Sequence, residues 1–170
     1  MTDPCSCPPE AGADSCELRP AISTTVCPTN QQVGKRVDSI TLKALLALPL
    51  TQLPSAEFRF CRAPDCPTVY YSTDGSHLFA EAELRERVYQ KHPQDDQVFV
   101  CYCFRHTIGS IRSEIERTHT SSVIDSINAG IQAGKCACDL RNPQGSCCLG
   151  NVRMLVTQLE AELAGRSKQT

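Results

Sequence analysis

Cysteine spacing constrains this chain more than any other feature of its sequence. Twelve of its 170 residues are cysteines: Cys5, Cys7, Cys16, Cys27, Cys61, Cys66, Cys101, Cys103, Cys136, Cys138, Cys147 and Cys148. Cysteines one residue apart seldom bridge to each other, but they can place two thiolates on one metal centre, which a reducing compartment favours. The pattern therefore predicts metal sites rather than a disulfide scaffold, and with them a cytoplasmic location.

Composition and charge exclude two classes of partner. The formal net charge of -2 provides no basic field for holding nucleic acid. No apolar run reaches the roughly 18 residues that a membrane span needs, and residues 1–26 lack the pattern of a secretory signal. We therefore expect neither a nucleic-acid partner nor membrane insertion.

The first half of the sequence has the pattern of a small β-rich module. Residues 1–26 contain prolines and cysteines without hydrophobic periodicity, which predicts a flexible cysteine-containing leader. The apolar spacing from Ser39 to Leu50 predicts a short helix. Aromatic and β-branched segments bounded by Pro and Gly predict strands in an antiparallel module over residues 27–96. The predicted strands are Glu57–Phe60, Thr68–Tyr71, His77–Phe79 and Arg85–Lys91.

The pattern changes to helical periodicity after residue 96. Thr107 is placed to cap a first helix, and Thr120 or Ser121 a second one that ends at Gly134. A third helix is predicted from about Leu149, with an apolar stripe facing the core. We expect a small helical domain over residues 97–165 and a frayed tail over 166–170. The fold class predicted for the whole chain is α+β.

The cysteines of the first half have the pattern of a zinc ribbon. Cys61 and Cys66 flank a Pro-containing turn between two predicted strands, and Cys27 precedes Gly34. Zn²⁺ commonly takes two thiolates from each of two such knuckles. However, Asn30 stands where Cys27-x2-Cys would place a fourth ligand. Candidates for that position are Cys5, Cys7, Cys16, His77 or a water, and the alternative is a metal-free module in which the three cysteines are ordinary buried thiols.

The cysteines of the second half bracket a predicted helical hairpin. Cys101 and Cys103 precede the first helix, whereas the cysteines from Cys136 to Cys148 follow the second and lead into the third. A hairpin returns the chain, so four thiolates can converge between helix ends. The helix that follows Cys148 can stabilise the negative charge of an iron–sulfur cluster through its N-terminal N–H groups.

Residues 98 to about 160 resemble the bacterioferritin-associated ferredoxin-like [2Fe–2S] domain. The resemblance implies cluster ligation by Cys101, Cys103 and Cys148. It departs from the family at the second cysteine pair, where residues 139–146 form an insertion. Both Cys138 and Cys136 fit the family's gap for the third ligand, and Cys138 is preferred because the longer gap clears the preceding helix. Cys136 and Cys147 remain alternatives to their neighbours.

Residues 27–155 as a whole resemble the N-terminal region of the CopZ-type copper chaperones. That resemblance implies a zinc module followed by a [2Fe–2S] domain, although the chain has no Met-x-Cys-x-x-Cys copper loop. No cysteine–histidine or serine–histidine constellation, phosphate loop or dinucleotide fingerprint is recognisable, so we expect no enzyme. The predicted function is one-electron transfer linked to copper handling, with a redox partner or a copper-handling protein. The alternative is a copper carrier or metal sensor in which spare thiols such as Cys5 and Cys7 take Cu(I).

Overall fold

The computed structural model describes residues 24–167, with side chains to residue 165. The predicted leader over residues 1–26 therefore lies almost wholly outside the described residues, together with the candidate zinc ligands Cys5, Cys7 and Cys16. The final helix extends through Ser167, two residues into the tail that was expected to fray.

The first half contains an antiparallel sheet of four strands, as predicted for a β-rich module. Its strands are β1 (Lys35–Val37), β2 (Phe58–Phe60), β3 (Thr68–Ser72) and β4 (Leu78–Ala80), in that spatial order. β1 was not predicted, because three residues, two of them basic, carry little strand pattern. Every residue of β3 is buried, and the predicted helix is shorter than expected, forming α1 (Ser39–Leu45).

The strand predicted over Arg85–Lys91 is wrong. This segment contains only a 3₁₀ turn, Tyr89–Lys91. Its backbone N–H groups donate to partners outside any strand ladder. The Arg85 N–H donates to the Leu45 carbonyl, and the Val88 N–H donates to the Glu81 carboxylate at 2.6 Å. The aromatic and β-branched residues here are needed for burial rather than for pairing, since Val88 is fully buried in the core beneath the sheet.

The second half is mainly helical. It contains a two-stranded ladder, β5 (Phe99–Cys101) with β6 (His106–Thr107), and four helices. The helices are α2 (Ile108–Thr118), α3 (Val123–Gln132), α4 (Cys138–Arg141) and α5 (Leu149–Ser167). The Thr107 hydroxyl caps α2 by accepting from the Ser110 N–H at 3.0 Å, as predicted. Among residues 24–167, no helix combines the length and apolar character that a membrane crossing requires.

The start of α3 differs from the prediction, whereas its end agrees. Ser122 precedes the helix, rather than Thr120 or Ser121. The Glu114 carboxylate explains the shift, because it accepts from the hydroxyls of Ser121 and Ser122 and so orders the turn before the helix. Gly134 ends the helix with a φ of 67°, a left-handed conformation that glycine adopts readily.

The predicted insertion, residues 139–146, joins the two halves. Its first residues belong to α4, which packs against α1. The Tyr70 hydroxyl of β3 donates to the Pro143 carbonyl at 2.7 Å, and the Lys35 ammonium donates to the Ser146 hydroxyl. A segment that departs from the ferredoxin-like pattern thus provides direct contacts between the sheet and the helical half.

Candidate metal centres

Three thiols of the first half converge as predicted. The Sγ atoms of Cys27, Cys61 and Cys66 all lie within 4.8 Å of one another, and those of Cys27 and Cys66 are 3.9 Å apart. Zn–S bonds of about 2.3 Å in a tetrahedral site place two sulfurs about 3.8 Å apart. The three side chains are at most 5% exposed. The spacing and the all-sulfur donor set therefore fit a structural zinc ion.

Tyr71 holds the segment around Cys27 against the sheet. Its ring packs among the three thiols, and its hydroxyl donates to the Thr25 carbonyl at 2.7 Å while accepting from the Gly34 N–H at 2.9 Å. A Cβ atom at Gly34 would overlap the Tyr71 hydroxyl. Glycine is therefore required at position 34, because only it lets the chain approach the tyrosine closely enough to position Cys27.

Polar groups around these thiols favour thiolate sulfur. Burial opposes ionisation of Cys27, but the backbone N–H groups of Thr29 and Asn30 donate to its sulfur, and its pKa is lowered overall. Burial raises the pKa of Cys61, although the nearby Lys91 charge acts in the opposite direction. Metal ligation requires deprotonated cysteine, so these donors and this cation assist binding.

Lys91 supports the turn that carries Cys66, a contact that the sequence did not predict. Its ammonium donates to the carbonyls of Ala63 and Thr68, at 2.7 and 2.9 Å, on the two sides of the turn that carries Cys66. It therefore fixes the shape of this turn and also places a positive charge near the thiols. No sequence signal distinguishes Lys91 from an ordinary surface lysine, because the contacts are made across more than 20 residues of chain.

The structure places Asn30, which stands where a fourth cysteine was expected, and His77, one of the candidates for the fourth zinc ligand. The Asn30 amide nitrogen donates to the Cys61 sulfur at 3.4 Å, while its oxygen accepts from the Gln32 N–H. This orientation makes Asn30 a hydrogen-bond donor to a ligand. His77 is exposed at the β3–β4 turn, where its ring contacts the Ser76 hydroxyl, and it does not belong to the group of three thiols.

A second group of thiols lies at the ends of the helices in the second half. The Sγ atom of Cys138 is 3.7 Å from that of Cys103 and 3.3 Å from that of Cys136. Cys136 and Cys103 are 3.9 Å apart. These three sulfurs thus form a compact triangle, which we call the outer trio because Cys103 and Cys136 are only half-buried.

Cys101 and Cys148 lie deeper beside the outer trio. They are 0% and 1% exposed and belong to the apolar core of the helical half. Interaction with the sulfurs of Cys101 and Cys138 raises the pKa of Cys148, and interaction with Cys148 lowers the pKa values of Cys101 and Cys138. The chain of contacts therefore runs from Cys101 through Cys148 and Cys138 to the outer trio.

Backbone N–H groups point at these sulfurs as well. The Ala137 N–H donates to Cys103 at 3.3 Å. The Cys148 N–H, at the start of α5, donates to the Cys138 sulfur, and the Phe104 N–H donates to Cys101. Donors of this kind stabilise anionic sulfur and tune an iron–sulfur centre. The donor set therefore fits a cysteine-ligated cluster.

The four predicted cluster cysteines lie in one region of the helical half. Cys103 and Cys138 form a group with Cys136, and Cys138 interacts with Cys148, which in turn interacts with Cys101. Cys147 is exposed instead. Because Cys148 belongs to the apolar core and interacts with the sulfurs of Cys101 and Cys138, the geometry favours it over its neighbour as a ligand.

Aromatic residues next to the ligands hold the site in place. The Tyr102 hydroxyl donates to the Arg87 carbonyl at 2.7 Å and accepts from the Tyr89 N–H at 2.9 Å, so the loop between Cys101 and Cys103 is tied to the first half. Phe104 packs onto α3 at Gly130, where a Cβ atom would overlap the ring.

Comparison with known proteins agrees with this arrangement. Residues 24–85 match the model of the zf_CopZ family, described as a zinc binding domain. The structure is similar to the N-terminal domain of CopZ from Archaeoglobus fulgidus, with a TM-score of 0.64 and 28% sequence identity over 76% of this chain and 96% of that one. No curated protein sequence matches the chain. These findings support the α+β fold class, a CopZ-type N-terminal part and metal binding.

Proposed function

We propose that this chain carries a structural zinc ion and a [2Fe–2S] cluster and acts in one-electron transfer linked to copper handling. Cys27, Cys61 and Cys66 would hold the zinc ion. The cluster would be held by Cys101, Cys103, Cys138 and Cys148. The observation that carries the proposal is that the Cys103 and Cys138 sulfurs lie 3.7 Å apart, while Cys148, just before α5, interacts with the sulfurs of Cys101 and Cys138.

The chain itself would perform three tasks at the cluster site. It supplies thiolates from two loops that the α2–α3 hairpin brings together. It supports their charge with the N–H groups of Phe104, Ala137 and Cys148. It also keeps water from the sulfurs of Cys101 and Cys148, since both residues lie in the apolar core. A bound [2Fe–2S] cluster would supply a one-electron couple whose potential depends on such burial and hydrogen bonding.

The zinc ion would hold the first half together. The core of this half is small and its strands are three to five residues long. A zinc site joining Cys27 to the turn between β2 and β3 would supply folding free energy that so small a module lacks. The carbonyl bonds of Lys91 would shape the turn that presents Cys66.

We further propose that the chain works as an electron-transfer protein rather than as an enzyme. Its partner would be a redox protein or a protein that handles copper, as the similarity to a CopZ N-terminal domain suggests. Transfer of one electron to bound Cu(II) would give the Cu(I) that soft thiolate sites prefer. The thiolates of Cys103 and Cys136 are near enough to solvent to lie on the side that a partner approaches.

The test is anaerobic purification of the full chain, followed by counts of iron, sulfide and zinc, visible absorption, and EPR after reduction. We expect two irons, two sulfides and one zinc per chain. Cys101→Ser and Cys148→Ser should lose the cluster spectrum while keeping zinc. Cys61→Ser should lose zinc.

Cys147→Ser is the matched control, because it removes an exposed thiol next to Cys148 and should keep both metals. Colourless wild-type protein without sulfide would refute the cluster assignment. An unchanged spectrum in Cys101→Ser and Cys148→Ser would refute the choice of ligands.

A further inference from the structure

The cluster site contains one sulfur more than a cluster needs. A [2Fe–2S] centre takes four cysteines, yet Cys136 lies within 3.3 Å of Cys138 and 3.9 Å of Cys103. Free cysteine usually behaves as a small buried hydrophobe. Cys136 packs at the edge of the helical core, but it is half-exposed and has two sulfur neighbours, so it is also placed to act as a ligand.

We propose that the outer trio of Cys103, Cys136 and Cys138 is a separate three-thiolate site for a soft monovalent cation such as Cu(I). Cys103 and Cys138 are also proposed cluster ligands, so the part of the inference that concerns the cluster rests on the proposed function. Because Cys103 and Cys138 cannot serve both centres at once, the cation and the cluster exclude each other.

The spacing of the outer trio fits a trigonal site. Metal–sulfur bonds of about 2.3 Å place the corners of a planar three-sulfur site about 4.0 Å apart. The distances from Cys103 to Cys138 and to Cys136 are 3.7 and 3.9 Å. The 3.3 Å between Cys136 and Cys138 would widen on binding through rotation about the side-chain bonds of the half-exposed Cys136.

The ligand type and the access both favour a soft cation. Three thiolates without a nitrogen or oxygen donor suit Cu(I) better than hard divalent ions. Cys103 and Cys136 face solvent in part, whereas Cys101 and Cys148 lie in the core. A cation can therefore reach the outer trio without opening the apolar interior.

The exchange between the two occupants needs no electron transfer. Cu(I) would bind three sulfurs and the Cys136 thiol would release its proton to solvent. The freed Cys101 and Cys148 thiolates would take up protons, and the two irons and two sulfides would leave in their existing oxidation states. The amount of cluster retained would then report the concentration of Cu(I), and Cys136 would be the residue that makes the site sensitive to it.

The experiment is an anaerobic titration of cluster-loaded full-length protein with Cu(I), buffered by a chelator of known affinity. Cluster absorption and bound copper are both measured. Wild type and the matched control Cys147→Ser should lose absorption at the same free Cu(I) concentration. Cys136→Ser should retain its cluster until free Cu(I) is at least about tenfold higher, the change in affinity expected from about 1.4 kcal/mol.

Three outcomes would overturn the inference. The first is that wild type keeps its cluster, and the second is that Cys136→Ser loses its cluster at the same free Cu(I) concentration as wild type. The third is that Cys136→Ser assembles no cluster, which would make Cys136 a cluster ligand. If wild type holds no cluster, the proposed function fails, but the outer trio is still tested. Wild type should then bind Cu(I) more tightly than Cys136→Ser in the same chelator competition, and equal affinities would refute it.

Discussion

Replacing Tyr70 by phenylalanine should weaken the joint between the two halves of the protein. The Tyr70 hydroxyl donates to the Pro143 carbonyl at 2.7 Å, and the tyrosine is fully buried. Burial raises its pKa, so the hydroxyl remains a protonated donor at neutral pH. Phenylalanine keeps the ring and its packing but leaves the carbonyl without this partner, which isolates the effect of one hydrogen bond.

The size of the effect follows from that burial. Leaving a buried carbonyl unsatisfied costs about 1–3 kcal/mol of unfolding free energy. For a chain of this length, each kcal/mol lowers the melting temperature by about 2–4 °C. We therefore expect Tyr70→Phe to melt roughly 2–12 °C below wild type.

Circular dichroism and calorimetry on metal-loaded protein would measure this difference. Tyr89→Phe is the matched control, because Tyr89 is half-buried and its hydroxyl makes no hydrogen bond to the part of the chain that the structure describes. It should melt within about 2 °C of wild type, as substitutions away from key contacts do. The reasoning is refuted if Tyr70→Phe loses no more stability than Tyr89→Phe.

Two further substitutions test the surroundings of the metal sites. Gly130→Ala should displace Phe104 and speed the loss of cluster absorption in air severalfold. Gly150→Ala is its control and should not change the rate, because a methyl group there meets no neighbour. Equal rates in the two variants would show that Phe104 does not protect the site. Lys91→Met should weaken zinc retention against a chelator by about 10–100-fold, the usual effect of losing a residue that supports metal ligands. The exposed Lys43→Met is its control, and an unchanged zinc affinity in Lys91→Met would contradict the role of the ammonium.

Local signals in the sequence were sufficient for several elements. The Thr107 cap and the Gly134 stop were predicted because capping and left-handed turns depend on residues only a few positions apart. The strands from Phe58 to Ala80 followed from aromatic and β-branched residues in short segments between turn formers. The strand expected at Arg85–Lys91 failed for the converse reason, since a buried apolar residue such as Val88 can be needed by the core without any strand partner.

The chemistry of the metal sites was also largely determined by the sequence. The presence and spacing of the cysteines are sufficient to predict binding of soft metals, and the thiols of Cys27, Cys61 and Cys66 do lie close together. Which of several neighbouring cysteines enters a site depends instead on where the backbone turns. The beginning of α4 at Cys138 and of α5 after Cys148 directs those two side chains inward and leaves Cys147 exposed.

Only the tertiary structure revealed the roles of residues that act across long stretches of chain. Lys91 reaches the carbonyls of a turn more than 20 residues away, Tyr70 bonds to an insertion 73 residues later, and Cys136 meets Cys103 after a helical hairpin. Such contacts leave no periodic or local pattern, because they arise when packing of the apolar faces fixes the distance between elements. The sequence alone thus determined that cysteine thiols are available to bind soft metals. The packing of the helices and the sheet decided which residues lie together at each candidate site.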